Sequence, residues 1–470
     1  MLFKYFFMTG IVLGIMVVLD LLLFGTIDLL WGVAALLSLV FLLAPIYCAK
    51  FGRGIKIAFS IVMGIISIVP NLIFIFLVVL IFANLPKGRP FEEKVVVRPA
   101  PEVEVAAYKR WIDMYKGLKE GCFSPPRGLM DNPFDYTQPK MNELFSRECE
   151  AERAKLLNFH AENVFSIPLS HKDGYFASID IEIPRLYVLD MYRIELADVA
   201  RRLDKGDIKS AQQKYIRLWQ ATENQLSPKL STLILAMFSN AEVGLLTEFY
   251  KKYADKLQLE HNKELINILK GTIPKMDSAI TASFIGEYAF SKGIFLESTK
   301  GYCFKEFFSF TGREDNYKKS YSERIIETRL FRWPFYDRYK TLKRADEFFY
   351  ETIELNRKPI YERQRQEYCK KEEEFKEEWL RLENPVGNIF FAMIMPRIGV
   401  IINRKDVRKA QTTAMLYLLT VTDPNNPDEI PTDNLTGKKF QVAVQRDTLE
   451  IQTEHKDYKN EVYYKVKRKF

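Results

Sequence analysis

The chain has 470 residues, which is enough for two or three structural units of ordinary domain size. Its 68 basic and 60 acidic residues are interspersed and give a formal charge of +8, a pattern typical of a solvated surface that argues against nucleic-acid binding. With only four histidines and no C-x-x-C spacing, the sequence predicts no metal centre and no cofactor.

Three apolar segments open the chain, at residues 5–24, 29–48 and 57–84. Each has the ~20 apolar residues that a helix needs to cross ~30 Å of hydrocarbon. The first segment lacks the small-x-small cleavage site of a signal peptide and another apolar run follows closely, so we expect it to be retained. Residues 1–84 are therefore predicted to be a multi-pass anchor of about three transmembrane helices, in contact with membrane lipids.

The orientation of the anchor follows from its short loops. The total number of Lys and Arg residues is equal on the two sides, but Lys50, Arg53 and Lys56 lie in a compact loop, where the preference of basic residues for the cytoplasm is strongest. The loop between the first two segments carries Asp28 and no basic residue. We therefore predict a protein of the plasma (inner) membrane with a cytoplasmic N-terminus and an extracytoplasmic soluble domain.

Asp20 lies near the end of the first apolar segment. An ionisable residue at membrane depth is a candidate for ion or proton transfer. Since it is about one helical turn from the end of the segment, a carboxylate reached by water is the competing interpretation.

The soluble region begins with an extended linker over residues 85–103, where several prolines occur and no helical period is visible. Residues 104–429 form a predicted mainly helical domain of helical hairpins. Its clearest part runs from 184 to about 257, where apolar residues recur at helical spacing and the sequence Lys205-Gly206-Asp207 ends one helix and caps the next.

Two later segments leave alternatives open. Residues 360–383 are rich in charges of both signs at helical spacing, which favours a solvated helix, with a partner-binding helix as the alternative. Residues 386–402 are mostly apolar but contain Asn388, Pro396 and Arg397. We interpret this run as buried core, with a shallow entry into the membrane as the alternative.

The last part of the chain, residues 430–470, changes from helical to alternating periodicity. This alternation predicts a small antiparallel β meander packed on the helices, with apolar positions at Phe440, Val442, Val444, Leu449, Ile451, Val462, Tyr464 and Val466.

Four cysteines follow the anchor, Cys122, Cys149, Cys303 and Cys369. Four cysteines in an oxidising compartment allow three different pairings, and four free thiols are an equally good interpretation for a domain of this size.

Catalytic signatures are mostly missing. The sequence contains no G-x-S-x-G, H-E-x-x-H or G-x-G-x-x-G motif. Glu242 and Glu287 are the two candidate catalytic residues, because each lies in a largely apolar helical stretch where burial raises the pKa of a carboxyl group. The competing interpretation places each at a helix edge or in an ion pair.

These observations favour a non-catalytic, membrane-anchored protein whose ectodomain mediates protein–protein interaction or assembly of an envelope complex. The alternatives are a membrane-anchored hydrolase or transferase with a carboxylate-based site, and an accessory subunit of a transport or secretion system. Expected partners are membrane lipids and other envelope proteins, and no nucleic acid.

Overall fold

The structure is a computed structural model of the chain, and it describes residues 91–126, 128–132, 134–172, 175–177, 187–297, 336–358, 384, 398–445, 448–453 and 462–467, with 9–16 and isolated positions before residue 80. The predicted membrane segments therefore lie outside the described residues except for a helix over 9–16 and those isolated positions. Within the described part of the chain, no helix is both long enough and apolar enough to cross a membrane.

Helices dominate the described residues, which confirms the prediction of a mainly helical domain. The long helices are α1 (Glu102–Lys116), α2 (Arg147–Glu162), α3 (Tyr187–Asp204), α4 (Ile208–Gln225), α5 (Leu233–Leu257), α6 (Lys263–Glu297), α7 (Arg338–Arg357) and α8 (Ile398–Thr420). Short helical turns occur at Glu120–Phe123, Gly128–Asp131, Met141–Leu144 and Pro427–Glu429.

The chain divides into two compact units. One comprises Met1–Glu92, Phe295–Arg344 and Phe375–Met395, and the other comprises Glu93–Ile294, Ala345–Glu374 and Pro396–Phe470. The hydrophobic core described here belongs to the second unit.

Helices α3 and α4 form the predicted hairpin. Gly206 has a φ of 79°, a left-handed conformation that glycine adopts without steric strain. The Asp207 backbone N–H donates to the Arg202 carbonyl at 2.9 Å and closes α3. The Asp207 side chain then accepts a hydrogen bond from the Ser210 backbone N–H and caps α4. One short turn therefore ends the first helix and begins the second.

The core lies between this hairpin and α5, and its side chains are large and aromatic. Fully buried members include Tyr192, Leu196, Tyr215, Leu218, Trp219, Val243, Leu246 and Phe249. The Tyr215 hydroxyl donates to the Leu246 carbonyl at 2.8 Å, so the polar end of this buried side chain is satisfied.

Helix α8 packs beside α5 in a parallel direction. The Arg408 side chain lies against Gly244, where a Cβ atom would come within 2.7 Å of the guanidinium carbon. One turn further along both helices, Gln411 Nε2 donates to Glu248 Oε1 at 3.4 Å.

The C-terminal meander is confirmed. The antiparallel sheet consists of three strands in chain order, Gln441–Gln445, Thr448–Gln452 and Val462–Lys467. Leu449, Ile451 and Tyr464 are buried, and the Tyr464 ring lies edge-on to Tyr250 of α5 at a centroid distance of 6.0 Å. One face of the sheet therefore packs on the helices, as a small sheet requires for stability.

A further two-stranded hairpin, Ser170–Lys172 with Tyr175–Ala177, was not predicted. It precedes α3 in the chain, in a segment where the spacing of apolar residues did not predict a pair of strands.

The linker before α1 is extended in its described part, residues 91–101, and lies against helices. Val95 and Val97 are buried, and the backbone N–H groups of Lys94 and Val95 donate to the Asp346 carboxylate at 2.8–3.1 Å. This end of the linker is therefore packed into the domain rather than free of it.

A disulfide bond joins Cys122 to Cys149, with a Cα–Cα distance of 4.9 Å and a sequence separation of 27 residues. It ties the turn Glu120–Phe123 to the first turn of α2. Cys303 and Cys369, like the charged segment 360–383 and most of 386–402, lie outside the described residues.

Candidate functional site

Glu242, one of the two candidate acids from the sequence, lies on α5 in the middle of the helical core with none of its surface exposed. The Thr222 hydroxyl donates to Glu242 Oε2 at 3.4 Å, and the Tyr192 hydroxyl lies 2.9 Å from Thr222 Oγ1. The other carboxyl oxygen, Oε1, has no hydrogen-bond partner among the described residues. Glu242 is therefore held by two hydroxyl groups and by no cation.

Burial raises the pKa of Glu242 to about 8, and its hydrogen bonds with Tyr192 and Thr222 offset only part of that rise. At neutral pH the carboxyl group is therefore mainly protonated. Such a group has the proton affinity of a general acid or base. A reacting molecule must also reach within about 3 Å of it, and the folded core closes the group off from solvent.

A second set of buried charges surrounds the other half of α3. We call it the α3 charge cluster: Arg153 of α2, Glu195 and Asp198 of α3, and Lys214 of α4, with Arg201 and Arg202 at its edge. Arg153 Nε lies 2.5 Å from Glu195 Oε1, and Lys214 Nζ lies 2.6 Å from Glu195 Oε2. Lys214 also reaches Asp198 at 2.6 Å. Three helices are thus joined by one network.

The cations decide the charge state of these acids. Burial by itself would raise the pKa of Glu195, but the charges of Lys214 and Arg153 more than offset that effect and lower it. Asp198 behaves in the same way, because Lys214, Arg202 and Arg201 outweigh its burial and hold its pKa well below the usual range. Both groups are therefore carboxylates at neutral pH.

Every carboxylate oxygen of the α3 charge cluster already has a partner. Glu195 uses one oxygen for Arg153 and one for Lys214. Asp198 Oδ1 accepts a hydrogen bond from Arg201, and Asp198 Oδ2 accepts one from Arg202 and one from Lys214. Arg153 additionally donates to the Leu144 carbonyl at 2.7 Å. The acids of the cluster are therefore saturated, as a structural network requires, whereas Arg153 Nη2 is buried without a hydrogen-bond partner among the described residues.

The second sequence candidate, Glu287, lies on α6 beside the start of α5. Its Oε2 accepts the Leu233 backbone N–H at 3.3 Å, one of the N–H groups that the first turn of a helix leaves unpaired. Burial raises the pKa of Glu287, and this hydrogen bond lowers it in part. The neighbouring Gly286 allows the close approach, because a Cβ atom there would lie 1.8 Å from the Ser231 carbonyl oxygen.

The structure does not bring the two candidate acids together. Glu287 touches Leu233, and Glu242 lies two and a half turns further along α5, roughly 13 Å along the helix axis. That separation exceeds the range of about 5–9.5 Å found between the paired carboxyl groups of glycosidases. Glu287 instead caps the start of α5 through the Leu233 backbone N–H. Asp20, the third candidate, lies outside the described residues.

The α3 charge cluster was missed by the sequence reasoning. Arg153 and Glu195 are 42 residues apart in the chain. The helical period places Asp198 on the polar side of α3, opposite the apolar stripe, yet Asp198 is fully buried. The only sequence signal is the pair of acids Glu195 and Asp198 one turn apart, within a helix that is otherwise rich in apolar residues.

One buried histidine lies apart from both groups. His160 is fully buried against the Trp111 and Phe165 rings, with its Nδ1 2.8 Å from Gln225 Nε2. Burial lowers the pKa of His160 to about 3, so the imidazole is neutral at physiological pH. Among the described residues, no cluster of three or more His, Cys, Asp or Glu side chains is arranged to hold a metal ion.

Comparison of the chain with protein-family models, with curated proteins and with solved structures finds no significant match.

Proposed function

We propose that this protein is an integral membrane protein whose disulfide-bonded helical domain lies on the extracytoplasmic side of the plasma membrane and binds other proteins of the envelope, without catalysing a reaction. The observation that carries this proposal is the Cys122–Cys149 disulfide.

Disulfides form and persist in oxidising compartments, and they are rare in the reducing cytoplasm. A disulfide in the domain therefore agrees with the orientation that the basic loop of Lys50, Arg53 and Lys56 favours, which places everything after residue 84 outside. The two arguments are independent, because one rests on thiol chemistry and the other on charge near the apolar segments.

Binding is favoured over catalysis by the state of the polar groups. Glu242 is sealed in the core, Glu287 caps α5, and the acids of the α3 charge cluster bind cations with every oxygen. Stacked helical hairpins such as α2 to α6 offer broad, firm surfaces of the kind that helical scaffolds use for protein binding.

Thiol labelling in intact cells tests the location. The variant keeps Cys122 and Cys149, replaces Cys48, Cys303 and Cys369 by Ser, and adds Lys209→Cys on the exposed start of α4. A membrane-impermeant maleimide should label it without lysis. The matched control, Lys50→Cys, lies in the loop predicted to be cytoplasmic and should be labelled only after lysis. Labelling of the Lys209→Cys variant only after lysis would overturn the proposal.

The same cells test the disulfide. Cys122 and Cys149 should resist maleimide under denaturing, non-reducing conditions and react after reduction. Extraction at alkaline pH tests the anchor separately, since an integral protein stays in the membrane pellet.

The non-catalytic part of the proposal has its own test. The double variant Glu242→Gln and Glu287→Gln should support the wild-type phenotype in cells at normal abundance. Loss of the phenotype with a normally folded, normally abundant protein would favour the carboxylate-based enzyme instead.

A further inference from the structure

The end of the linker is held in the domain by side chains of two helices. The segment from Glu93 to Val97 lies outside helices and strands, bends at Lys94 and Val95, and pairs with none of the described strands. Alternate side chains are turned inward, since Glu93 is half-buried and Val95 and Val97 are buried, whereas Lys94 and Val96 are exposed. We call this segment the strap.

The main chain of the strap is bound by one carboxylate. The backbone N–H groups of Lys94 and Val95 both donate to Asp346 of α7, at 2.8–3.1 Å. Two successive N–H groups turned toward one anion form a nest, which requires that neither residue be proline. Asp346 is 1% exposed, so these hydrogen bonds compensate a carboxylate that has lost contact with water.

The first side chain of the strap meets a buried cation. Lys292 of α6 has no exposed surface, and its Nζ donates to the two carboxylate oxygens of Glu93 at 2.8 and 2.9 Å. The Tyr288 hydroxyl donates to the same carboxylate at 3.1 Å. Burial lowers the pKa of Lys292, and Glu93 offsets part of that effect. A neutral side chain in place of Glu93 would leave the ammonium group without the carboxylate that stabilises it most.

These contacts recognise three features of a peptide at once. Lys292 and Tyr288 bind a carboxylate, Asp346 binds two successive backbone N–H groups, and the buried positions of Val95 and Val97 take apolar side chains. Main-chain hydrogen bonds combined with places for alternate side chains are a recurring mode of peptide recognition. A linker that merely covered apolar surface would need only the two valines.

Prolines on both sides keep the strap separate from its neighbours in the chain. Pro99 and Pro101 stand between the strap and α1, and Pro86 and Pro90 stand between the strap and the last predicted membrane segment. Proline interrupts the hydrogen-bond pattern of a helix, so the strap is not an extension of α1. Because the linker joins the proposed anchor to α1, a movement of the anchor acts on the strap first.

We infer that the surface of α6 and α7 formed by Tyr288, Lys292 and Asp346, here called the strap site, recognises a peptide segment of a partner protein. That segment carries an acidic residue, two non-proline residues directly after it, and apolar residues at the second and fourth positions after the acid. The strap has this sequence and occupies the site until the partner binds, as an autoinhibitory contact. The inference rests on the proposed protein-binding function and names the chemistry of the partner.

A labelled synthetic peptide of residues 91–99 is the probe, and the full chain in nanodiscs is the receptor. The variant Glu93→Ala with Val95→Asp empties the strap site. It should bind the peptide, measured by fluorescence anisotropy, at least about ten-fold more tightly than the wild-type chain, in which the tethered strap competes at millimolar effective concentration. The matched control Val96→Asp changes an exposed strap position and should behave like the wild-type chain.

Variants of the peptide show whether the site recognises the predicted features. Glu93→Gln and Lys94→Pro in the peptide should each weaken binding at least about ten-fold, because the first removes the charge that meets Lys292 and the second removes an N–H group that meets Asp346. Val96→Asp in the peptide should change the affinity little. Equal binding of all four peptides would overturn the inference, and so would the absence of binding by the unchanged peptide.

A second measurement applies if the emptied variant does not fold. Cys48, Cys303 and Cys369 are replaced by Ser, and Val97→Cys places a thiol at a buried position of the otherwise intact strap. Millimolar peptide should raise the rate at which maleimide labels this thiol several-fold, and the Lys94→Pro peptide should not. A labelling rate that the peptide leaves unchanged would overturn the inference.

Failure of the strap site is distinguishable from failure of the proposed function. Peptide binding is measured on the purified chain and does not depend on the side of the membrane, whereas labelling of Lys209→Cys in intact cells tests the side alone. A chain that is labelled without lysis but does not bind the peptide loses the strap site and keeps its location. A chain that binds the peptide but is labelled only after lysis keeps the strap site, and its partner is then a cytoplasmic protein.

Discussion

Two sets of buried acids lie beside α3 in opposite charge states, Glu195 and Asp198 of α3 itself and Glu242 of α5. At one end, Glu195 and Asp198 are ionised because Arg153, Lys214 and the neighbouring arginines surround them. At the other end, Glu242 has the hydroxyl groups of Tyr192 and Thr222 beside it instead of a cation, and burial raises its pKa to about 8. All three acids are buried, so it is the partners that decide the charge of a buried carboxyl group.

The largest expected effect on stability comes from removing a cation of the α3 charge cluster. Arg153→Met removes a buried cation, leaves Glu195 with Lys214 only, and leaves the Leu144 carbonyl without this donor. The free energy of unfolding should fall by about 3–5 kcal/mol. Urea denaturation followed by near-ultraviolet circular dichroism measures it. The control Lys155→Ala removes the exposed partner of Glu152 and should change stability by less than about 1 kcal/mol.

A loss for Arg153→Met no larger than that of the control would mean that the α3 charge cluster contributes little to stability.

The disulfide beside this cluster ranks second. The double variant Cys122→Ser and Cys149→Ser frees a loop of 27 residues in the unfolded state and should lower the free energy of unfolding by about 3.5 kcal/mol. Adding reductant to the wild-type protein should reproduce the loss, whereas the double variant should not respond to reductant. A wild-type protein insensitive to reductant would argue that the two cysteines are not bonded.

Substitution of Glu242, which is neutral in the folded protein, should raise the free energy of unfolding instead of lowering it. Because the folded state keeps the Glu242 proton up to about pH 8 while the unfolded chain releases it near its ordinary pKa of 4.5, the wild-type protein loses stability as pH rises between those values. Glu242→Gln has no such proton. It should be more stable than the wild-type protein by on the order of 3 kcal/mol at pH 7.

Urea unfolding of both proteins from pH 5 to pH 9 checks this prediction. The advantage of Glu242→Gln should grow with pH and level off above about pH 8. A constant difference across the range would show that Glu242 has an ordinary pKa in the folded state.

Asp198→Asn should give a smaller effect with the reverse pH dependence. The pKa of Asp198 is lowered in the folded state, so its contribution is fully present above its ordinary pKa and is lost only as pH falls from there through the lowered folded-state pKa. The variant should be less stable by about 2 kcal/mol at pH 7. Unfolding measurements extended into acid should show the deficit beginning to shrink below about pH 4 while much of it remains at pH 3. A deficit that does not shrink at all between pH 5 and pH 2 would point to lost packing instead.

Much of the local structure of the described helical domain could be predicted from sequence because local features produce it. The Lys205-Gly206-Asp207 turn, the apolar stripe through Tyr192 and Leu196, and the alternation around Leu449 and Ile451 depend on residues within a few positions of one another. These features appear in the structure where the periodicity placed them.

The sequence by itself thus determined the α3–α4 hairpin and the C-terminal strands, but not the hairpin at residues 170–177, and it singled out Glu242 and Glu287 as acids in apolar surroundings. Only the tertiary structure decided what these acids meet. Glu242 accepts a hydrogen bond from Thr222 of α4, Glu287 accepts one from the Leu233 backbone N–H of α5, and Glu195 pairs with Arg153 of α2. The physical reason is that periodicity records which face of a helix is buried, whereas the charge of a buried group depends on partners brought close by packing.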